Sequence, residues 1–301
     1  MECKPGGVME LRVLRYFLTV ARVENITHAA TILHVTQPTL SRQLADLEKN
    51  LETQLFIRGK SKITLTEAGM LLRQRAEEIL TLADKTEKEF KDQNNLVGGT
   101  ISIGSVESLT SNVILQLLKD FNMEYPQVKY HIYSGTGDDI KERIDKGLLD
   151  VGILLEPIHI EKYDFIRLPQ KERWGVLMKT SSPLAQKEYV TSTDLAGVPL
   201  LISSRSVVQN EIASWFADEY AHLNFVATYN LISNVLNLVE EGLGTAICIE
   251  GALAMKQSDT LCFRPFHPEL QFPTVIVWKK HKVFSQTEVR FLEHIRHAFQ
   301  A

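Results

Sequence analysis

Amide, hydroxyl and guanidinium side chains are concentrated in the short run QPTLSRQ, between residues 37 and 43. Groups of these types hydrogen-bond to base edges and phosphates when a helix lies in the major groove of DNA. On the exposed face of any helix, however, the same side chains would simply meet water. The residue types alone therefore leave both interpretations open for Gln37, Thr39, Ser41, Arg42 and Gln43.

The segment around this run, Ile26–Phe56, is predicted to form two short helices joined by a tight turn and followed by a strand. Thr27 is a natural N-cap for the first helix, and such a helix end often meets a phosphate. Thr36 is a good N-cap for the second helix, where Pro38 is tolerated because first-turn N–H groups have no intrahelical partner. Leucines at intervals of three and four predict the buried face of the second helix: Leu40, Leu44 and Leu47. This pattern turns the polar run outward, as a recognition helix requires.

Two short β-prone runs follow, Leu55–Ile57 and Lys62–Leu65, and the glycine turn between them carries the cations Arg58 and Lys60. A hairpin with a basic tip can lie along the sugar-phosphate backbone or reach the minor groove. Its position directly after a candidate recognition helix favours such a wing over a solvated basic turn. We therefore expect Arg58 and Lys60 to contact the DNA backbone.

Three stretches of Glu10–Ala83 resemble the N-terminal region of the LysR-type transcriptional regulators: LRYFLTVARVENITHAA, LHVTQPTLSRQLADLEKNLETQLFIRG and ITLTEAGMLL. The match is long and dense rather than a single motif. It implies a winged helix-turn-helix that binds double-stranded DNA at a promoter or operator, and it makes RNA polymerase a candidate partner. The expected DNA-binding residues are Thr27, Thr36, Gln37, Pro38, Thr39, Ser41, Arg42, Gln43, Arg58 and Lys60.

The chain has 301 residues, enough for two or three compact units, and its 44% hydrophobic and 23% charged shares are those of an ordinary globular protein. It has no run of 18 apolar residues and no hydrophobic signal core near its start, so we expect no membrane association and a cytoplasmic location. Translation could begin at Met1 or at Met9.

The net charge of −4 divides into +3 for residues 1–65 and −7 for the remainder, which suits a protein whose N-terminal part meets phosphate.

The three cysteines and nine histidines form no recognisable metal or catalytic pattern. There is no C-x-x-C, G-x-S-x-G or H-E-x-x-H motif, so we expect neither a metal nor a cofactor. Cys248 belongs to the apolar run Thr245–Ile249 and is predicted to be a buried small hydrophobe. The resemblance adds one alternative, a thiol switch between Cys248 and Cys262 like that of peroxide-sensing members of the family.

A long helix is predicted after the wing, from a cap at Thr66 to about Asn94. Its apolar residues recur at intervals of three, four or seven: Ala68, Leu72, Ala76, Ile79, Ala83 and Phe90. A helix this long with a narrow stripe needs a partner, and packing on its own body is the alternative to a second chain. The resemblance implies a linker helix that pairs antiparallel with its twin in a homodimer. A dimer of dimers, a homotetramer, stays open.

After Gly98-Gly99 the pattern changes to alternating strands and helices, which predicts a parallel sheet with right-handed crossovers. The run DVGI at residues 150–153 resembles the effector-domain signature of the same family. The resemblance implies two α/β lobes like those of type 2 periplasmic binding proteins, hinged near Pro169 and Pro273. The expected domains are a winged helix-turn-helix at 1–65, a linker helix at 66–97 and an effector-binding domain at 98–301, with lobe one at 98–170 plus 272–301 and lobe two at 171–271.

Three loops at the ends of predicted strands carry hydroxyls, and in open α/β lobes ligands bind at such strand ends. The candidate effector-binding residues are Ser105, Glu107, Ser108, Ser134, Thr136, Ser203, Ser204 and Arg205. Helix capping would explain each hydroxyl equally well. Glu107 would repel an acidic effector unless Arg205 or a bound cation offsets its charge.

The predicted function is that of a sequence-specific DNA-binding transcriptional regulator whose activity is controlled by a small-molecule effector bound between the lobes. A solute-binding protein or an enzyme on the bilobal fold is the alternative. That alternative explains residues 98–301 but leaves residues 9–94 without a purpose, and no nucleophile–base pair supports catalysis. We therefore do not expect an enzyme.

Overall fold

Two separately packed units make up the chain, Met1–Gln93 and Asn94–Ala301. The computed structural model describes residues 9–59, 62–91, 97–108, 111–158, 161–256 and 258–299. The elements of the first unit are α1 (Leu11–Val23), α2 (Ile26–Ile32), α3 (Gln37–Asn50), β1 (Phe56–Arg58), β2 (Ile63–Leu65) and α4 (Glu67–Lys91).

The core of the first unit lies between α1, α3 and the first half of α4. Phe17 on α1 is fully buried, and the predicted leucine stripe of α3 is buried with it. Ala29 and Ala30 on α2 are also buried, where their small side chains let helices cross closely. The helix α4 contributes Leu72, Ala76 and Leu80 to the same core. The first half of α4, the predicted linker helix, therefore packs on its own chain, and the alternative to a second chain is confirmed for this half.

Local capping in the helix pair is partly as predicted. Thr36 has extended backbone and accepts the N–H of Thr39, so the predicted cap of α3 is confirmed. The prediction that Thr27 caps α2 is wrong. Asn25 is the N-cap, because its extended backbone aims Oδ1 at the N–H of His28 at 2.9 Å and leaves Thr27 inside the first turn.

The turn between α2 and α3 is closed by a non-glycine residue in the left-handed region. His34 has φ of 54°, and the N–H of Val35 donates to the carbonyl of Ala30 at 3.0 Å. This geometry ends α2 and turns the chain into α3. Left-handed backbone costs about 1–2 kcal/mol for an ordinary residue, so His34 is held there by the structure around it.

The predicted wing is present as an antiparallel hairpin. Phe56 pairs with Leu65 and Arg58 with Ile63, and the N–H of Gly59 donates to the carbonyl of Lys62 at 3.0 Å. Lys60 lies outside the described residues.

The second unit begins with β3. Its elements in chain order are β3 (Gly99–Ser105), α5 (Ser111–Glu124), β4 (Val128–Ser134), α6 (Gly137–Asp145), β5 (Val151–Leu155), β6 (Tyr163–Lys179), β7 (Pro199–Ser203), α7 (Ser206–Phe216), β8 (Asn224–Tyr229), α8 (Ile232–Glu240), β9 (Thr245–Ile249), β10 (Leu261–Pro265), β11 (Gln271–Lys279) and α9 (Gln286–Phe299). Four 3₁₀ turns among the described residues complete it: Pro183–Gln186, Ser192–Leu195, Ala217–His222 and Glu250–Met255.

The sheet of the second unit is mixed, so the prediction of a parallel sheet is wrong in part. The strand β3 runs parallel to β4 and β5, and β7 runs parallel to β8 and β9. The strands β6 and β11, however, pair antiparallel with each other and with their other neighbours. The antiparallel pairs arise because the chain passes between the lobes in both directions, once in β6 and once in β11.

The two lobes share these long strands but have separate cores. The core of lobe one joins Ile101 and Phe121 to Trp278 and Phe291 near the end of the chain. The core of lobe two is built around residues 174–272. The register between β6 and β11 shifts between Pro273 and Val275. Proline interrupts a hydrogen-bonded ladder, and bulges are where strands bend, which agrees with crossings near Pro169 and Pro273.

A buried ionic cluster anchors α9 within lobe one. The ammonium of Lys282 lies 2.7 Å from Oδ1 of Asp150 and 2.5 Å from Oε1 of Glu288. The other oxygens accept backbone N–H groups, from Ser102 to Asp150 at 2.9 Å and from Ser285 to Glu288 at 2.7 Å. Burial, followed by the neighbouring Asp150, raises the pKa of Glu288 to about 6.

Candidate DNA-binding surface and effector cavity

The outward face of α3 carries the predicted polar run. Gln37, Thr39 and Arg42 are exposed, while Ser41 and Gln43 are partly covered. The side chain of Arg42 is 84% exposed, and its Nε lies 4.0 Å from Oδ2 of Asp46. An exposed pair at that distance contributes little, so the guanidinium can exchange this contact for one to DNA.

The other polar side chains of the helix start are already hydrogen-bonded to each other. Nε2 of Gln37 donates to Oγ of Ser41 at 2.8 Å, and the hydroxyls of Thr36 and Thr39 are 2.8 Å apart. Pro38 is exposed in the first turn. These bonds hold the side chains in fixed orientations on the surface that the buried leucines turn outward.

The wing is fixed to the helices by two acidic residues. Oε1 of Glu48 on α3 accepts the N–H groups of Leu55 at 2.8 Å and Phe56 at 3.2 Å. At the end of α1, the carboxylate of Glu24 lies 2.5 Å from the ammonium of Lys62. The sequence singled out neither residue, because an acidic residue on or at the end of a helix is usually solvated. Arg58 is the last residue of β1.

A cavity of about 70 Å³ lies between the two lobes of the second unit. Four predicted effector-binding residues line it: Glu107, Thr136, Ser203 and Arg205. The structure thus brings the three predicted loops together. The remaining four predicted residues lie outside its lining: Ser105, Ser108, Ser134 and Ser204.

Two contacts cross the cavity from one lobe to the other. Oε2 of Glu107 accepts the N–H of Ser233 at 3.0 Å, in the first turn of α8. The Nε of Arg205 donates to Oδ2 of Asp138 at 3.3 Å. Burial alone would raise the pKa of Asp138, but Lys141 and Arg205 together hold it below its ordinary value. The charge of Glu107 is therefore already engaged by a helix N-terminus, which is where carboxylates are stabilised.

Several of the predicted hydroxyls serve the protein's own backbone. Thr136 caps α6 by accepting the N–H of Asp139 and donating to its carboxylate. Oγ of Ser105 donates to the carbonyl of Val106 at 2.9 Å. Oγ of Ser203 accepts the N–H of Arg205 at 3.4 Å. The capping interpretation is thus confirmed for Thr136, and local hydrogen bonding occupies the other two.

The cavity also has a polar lining residue that the sequence did not reveal. Trp174 lines it and is 4% exposed, and its Nε1–H has no acceptor within the described part of the chain. Its position where β6 enters lobe two had no sequence signal beyond a strand pattern. The apolar remainder of the lining includes Val106, Leu155, Val208, Ile232 and Ile249.

Two family models match the chain. One, described as the bacterial regulatory helix-turn-helix protein of the lysR family, matches residues 11–70. The other, the LysR substrate binding domain, matches residues 94–300. The chain belongs to the LysR family.

Relatives of this LysR-family chain are named as transcriptional regulators. The Hca operon transcriptional activator HcaR of Escherichia coli is 32% identical over 281 residues, covering 90% of this chain and 92% of its own. The uncharacterized HTH-type transcriptional regulator YvbU of Bacillus subtilis is 26% identical over 97% of this chain and 100% of its own. The present chain is thus a transcriptional regulator with a helix-turn-helix and a substrate-binding domain.

Solved structures share the fold of this LysR-family regulator. CbnR complexed with its target DNA has a TM-score of 0.74 at 23% identity, covering 96% of this chain and 100% of its own. A full-length OxyR variant from Pseudomonas aeruginosa has a TM-score of 0.57 at 22% identity, covering 97% of this chain and 99% of its own. The predicted combination of a helix-turn-helix with a bilobal α/β domain is confirmed.

In this LysR-family chain, Cys248 and Cys262 lie too far apart for a disulfide. Cys248 on β9 is opposite Gly175, and Cys262 on β10 is opposite Met178, so β6 lies between them. Strands are about 4.8 Å apart, so the two strand spacings alone separate the cysteines by about 10 Å, beyond the reach of about 7 Å between bridged Cα atoms. Burial also raises the pKa of Cys248 to about 12. This arrangement does not support the thiol-switch alternative.

Among the residues that the structure describes, no helix is long and apolar enough to cross a membrane. Nor do those residues contain a cluster of three His, Cys, Asp or Glu side chains that could hold a metal ion.

Proposed function

We propose that the outward face of α3 reads the operator and that the wing contacts its backbone. The observation that carries this proposal is the placement of Arg42: its side chain is almost fully exposed on a helix whose opposite face is buried. Gln37, Thr39 and Gln43 supply further donors and acceptors along the same helix. In this proposal, the first turns of α2 and α3 and the residues next to them also contact the DNA, through Thr27, Thr36, Pro38 and Ser41. Arg58 and Lys60 contact phosphates.

Replacing Arg42 tests the proposal directly. We expect Arg42→Ala to weaken operator binding by about 1–3 kcal/mol, because a good contact to a base is worth that much. Arg42→Lys separates two roles: lysine can replace arginine at a phosphate but not in a bidentate contact to guanine. Gel-shift titrations at matched salt measure both, with Lys49→Ala in the last turn of α3 as the control. An unchanged isotherm for Arg42→Ala would refute its role.

We further propose that the protein acts as a homodimer on a two-fold operator, in the cytoplasm where the DNA is. The support is the surface of α4, where large apolar side chains stay exposed in the single chain: Met70, Leu71, Leu82 and Phe90. Such a stripe on a long helix suits a partner helix. Light scattering of the purified chain distinguishes a dimer from a dimer of dimers, and a monomer at micromolar concentration would contradict the proposal.

We also propose that a small-molecule effector binds in the cavity and alters DNA binding. The support is the pair of contacts that close the cavity, Ser233 to Glu107 and Arg205 to Asp138, each with one partner in each lobe. A molecule that displaces either contact would bind with different affinity to the arrangements of the lobes with and without that contact. A thermal-shift screen of the full chain, followed by gel shifts with each hit, tests this. A hit that leaves DNA binding unchanged would count against control from this cavity.

A further inference from the structure

Four residues on α4 have a spacing that is the same in both directions along the helix. Leu71, Arg75, Glu78 and Leu82 are separated by four, three and four residues. An α-helix turns by about 100° per residue, so these side chains lie within about 60° of each other on one face, the outer stripe of α4. The residues that α4 buries in the core of the first unit are centred about 130° around the helix axis from this stripe.

The outer stripe is uncovered in the single chain. Leu71 and Leu82 are 58% and 43% exposed. Between them, Nη1 of Arg75 lies 3.0 Å from Oε2 of Glu78, and these two side chains are 51% and 23% exposed. Alternating intervals of three and four residues are those of positions a and d in a coiled coil. The outer stripe therefore suits a second helix with the same spacing.

A second copy of α4 is complementary to the outer stripe when it runs in the opposite direction. A two-fold axis midway between residues 75 and 78 places Leu71 opposite the partner's Leu82. The same axis places Arg75 opposite the partner's Glu78, and symmetry produces each contact twice. If the copies ran parallel and in register, arginine would face arginine and glutamate would face glutamate. Like charges that face each other across an interface are unfavourable, so the charges select the antiparallel pair.

The same charges disfavour the neighbouring antiparallel registers. Sliding one copy by a heptad places Arg75 opposite the partner's Lys85, and sliding it the other way places Arg75 opposite the partner's Leu71. Either slip moves the helices past each other by about 10 Å, which corresponds to about three base-pair steps of DNA. The register of the pair therefore sets the separation of the two helix-turn-helix motifs.

We infer that Arg75 and Glu78 are the residues by which two copies of this chain recognise each other, with Arg75 of each chain paired to the partner's Glu78. This inference rests on the proposal that the protein dimerises through α4. Exposed ion pairs add little stability, whereas polar residues at core positions of a coiled coil select its register and its partner. The leucines thus supply the affinity of the dimer, and the charged residues decide which helix is accepted.

Single charge reversals test whether the pairing crosses the dimer. Glu78→Arg makes both central positions basic, and Arg75→Glu makes both acidic, so each variant alone brings like charges together at the axis. We expect each homodimer to dissociate at a concentration at least about tenfold higher than the wild type does. An equimolar mixture should form the heterodimer, because every arginine then faces a carboxylate. Sedimentation velocity measures the homodimers, and native mass spectrometry with one chain isotope-labelled identifies the heterodimer. Single variants that dimerise as tightly as the wild type, or a mixture without excess heterodimer, would overturn the inference.

The double variant Arg75→Glu/Glu78→Arg reverses the order of the charges but keeps an ion pair within the chain. We expect it to form homodimers like the wild type and to form about tenfold fewer mixed dimers with the wild type than random mixing predicts. The matched control is Arg73→Glu/Glu77→Arg, which reverses a bridge of 3.2 Å on the same helix, about 150° around the axis from the outer stripe. This control should mix with the wild type at random.

The outcomes separate the inference from the dimer proposal on which it rests. A wild-type chain that is monomeric at micromolar concentration would refute both. A dimeric wild type that mixes at random with the Arg75→Glu/Glu78→Arg variant would refute only the inference, because the two residues would then act within their own chain. A folded double variant that stays monomeric would refute it as well. Circular dichroism reports the fold of each variant, and if a single variant does not fold, the double variant and its control decide.

Discussion

The substitution Glu48→Ala removes the carboxylate that ties the wing to α3. Its Oε1 accepts the N–H groups of Leu55 and Phe56 at the entry to β1. Both of these residues are buried, so their amide groups cannot turn to bulk water without moving the chain. Alanine keeps the helix propensity of α3 but leaves two buried donors unpaired.

The size of the effect follows from these two bonds. A hydrogen bond to a charged acceptor contributes about 1.5–3 kcal/mol, and an unpaired buried donor costs about 1–3 kcal/mol. The two bonds share one oxygen and are not additive, and the carboxylate is partly exposed. We therefore expect the free energy of unfolding of the first unit to fall by about 2–4 kcal/mol.

Hydrogen exchange followed by mass spectrometry measures this effect in the full chain, because peptides that cover residues 52–60 report the wing separately from the second unit. We expect faster exchange of these amides and weaker operator binding at unchanged salt. The matched control is Asp46→Ala on the same helix, whose side chain is 59% exposed and whose loss should change stability by less than about 0.5 kcal/mol. If Glu48→Ala changes exchange no more than Asp46→Ala does, the two hydrogen bonds do not position the wing.

Three other substitutions should change stability in predictable directions, each measured by urea unfolding of the full chain. His34→Gly should stabilise the first unit by about 0.5–1 kcal/mol, because glycine relieves the left-handed backbone strain, although its more flexible unfolded state offsets part of that gain. A lower stability of this variant would show that the imidazole is needed. Gly69→Ala should destabilise the first unit by about 1–3 kcal/mol although alanine favours helices, because its Cβ would lie 2.2 Å from the carbonyl oxygen of Leu55. A higher stability of this variant would contradict this close packing. The folded-state pKa of Glu288 is about 6, against an ordinary value of 4.5. Its protonation therefore contributes about 2 kcal/mol to the free energy of unfolding below pH 4.5, and this contribution is lost as the pH rises through 6. Glu288→Gln should remove this part of the pH dependence, and an unaltered slope between pH 4.5 and 6 would refute it.

Much of the fold could be predicted because its elements have strong local signals. The leucine spacing of α3, the cap at Thr36 and the glycine turn of the wing depend only on neighbouring residues. The choice between Asn25 and Thr27 as the cap of α2 failed because both are good capping residues, and only the entry angle of the chain selects one. The first half of β6 and the strand β10 were missed because their partners lie about 80 to 115 residues away along the chain. Pairing at that distance leaves no local pattern to recognise.

The cavity could be predicted only at the level of its loops. Strand ends followed by Ser, Thr or Arg indicated where a ligand would lie, and Glu107, Thr136, Ser203 and Arg205 do line one cavity. Which hydroxyls remain available depends on hydrogen bonds such as that between Thr136 and Asp139, which capping preferences suggest but do not decide. The unpaired N–H of Trp174 could not be foreseen, since a missing partner is a property of the three-dimensional arrangement.

The passage of the chain through β6 and β11 also sets an order of folding during synthesis. Lobe two is built from one continuous stretch, so all of its strands exist once residue 272 has been made. Lobe one starts at Gly99 but takes Ile276, Trp278, Phe291 and Ile295 of its core from the final segment of the chain. Domains generally fold as their segments emerge, yet here the lobe that begins first is completed last. Until translation ends, the growing chain therefore exposes a half-built sheet whose missing central strand is β11.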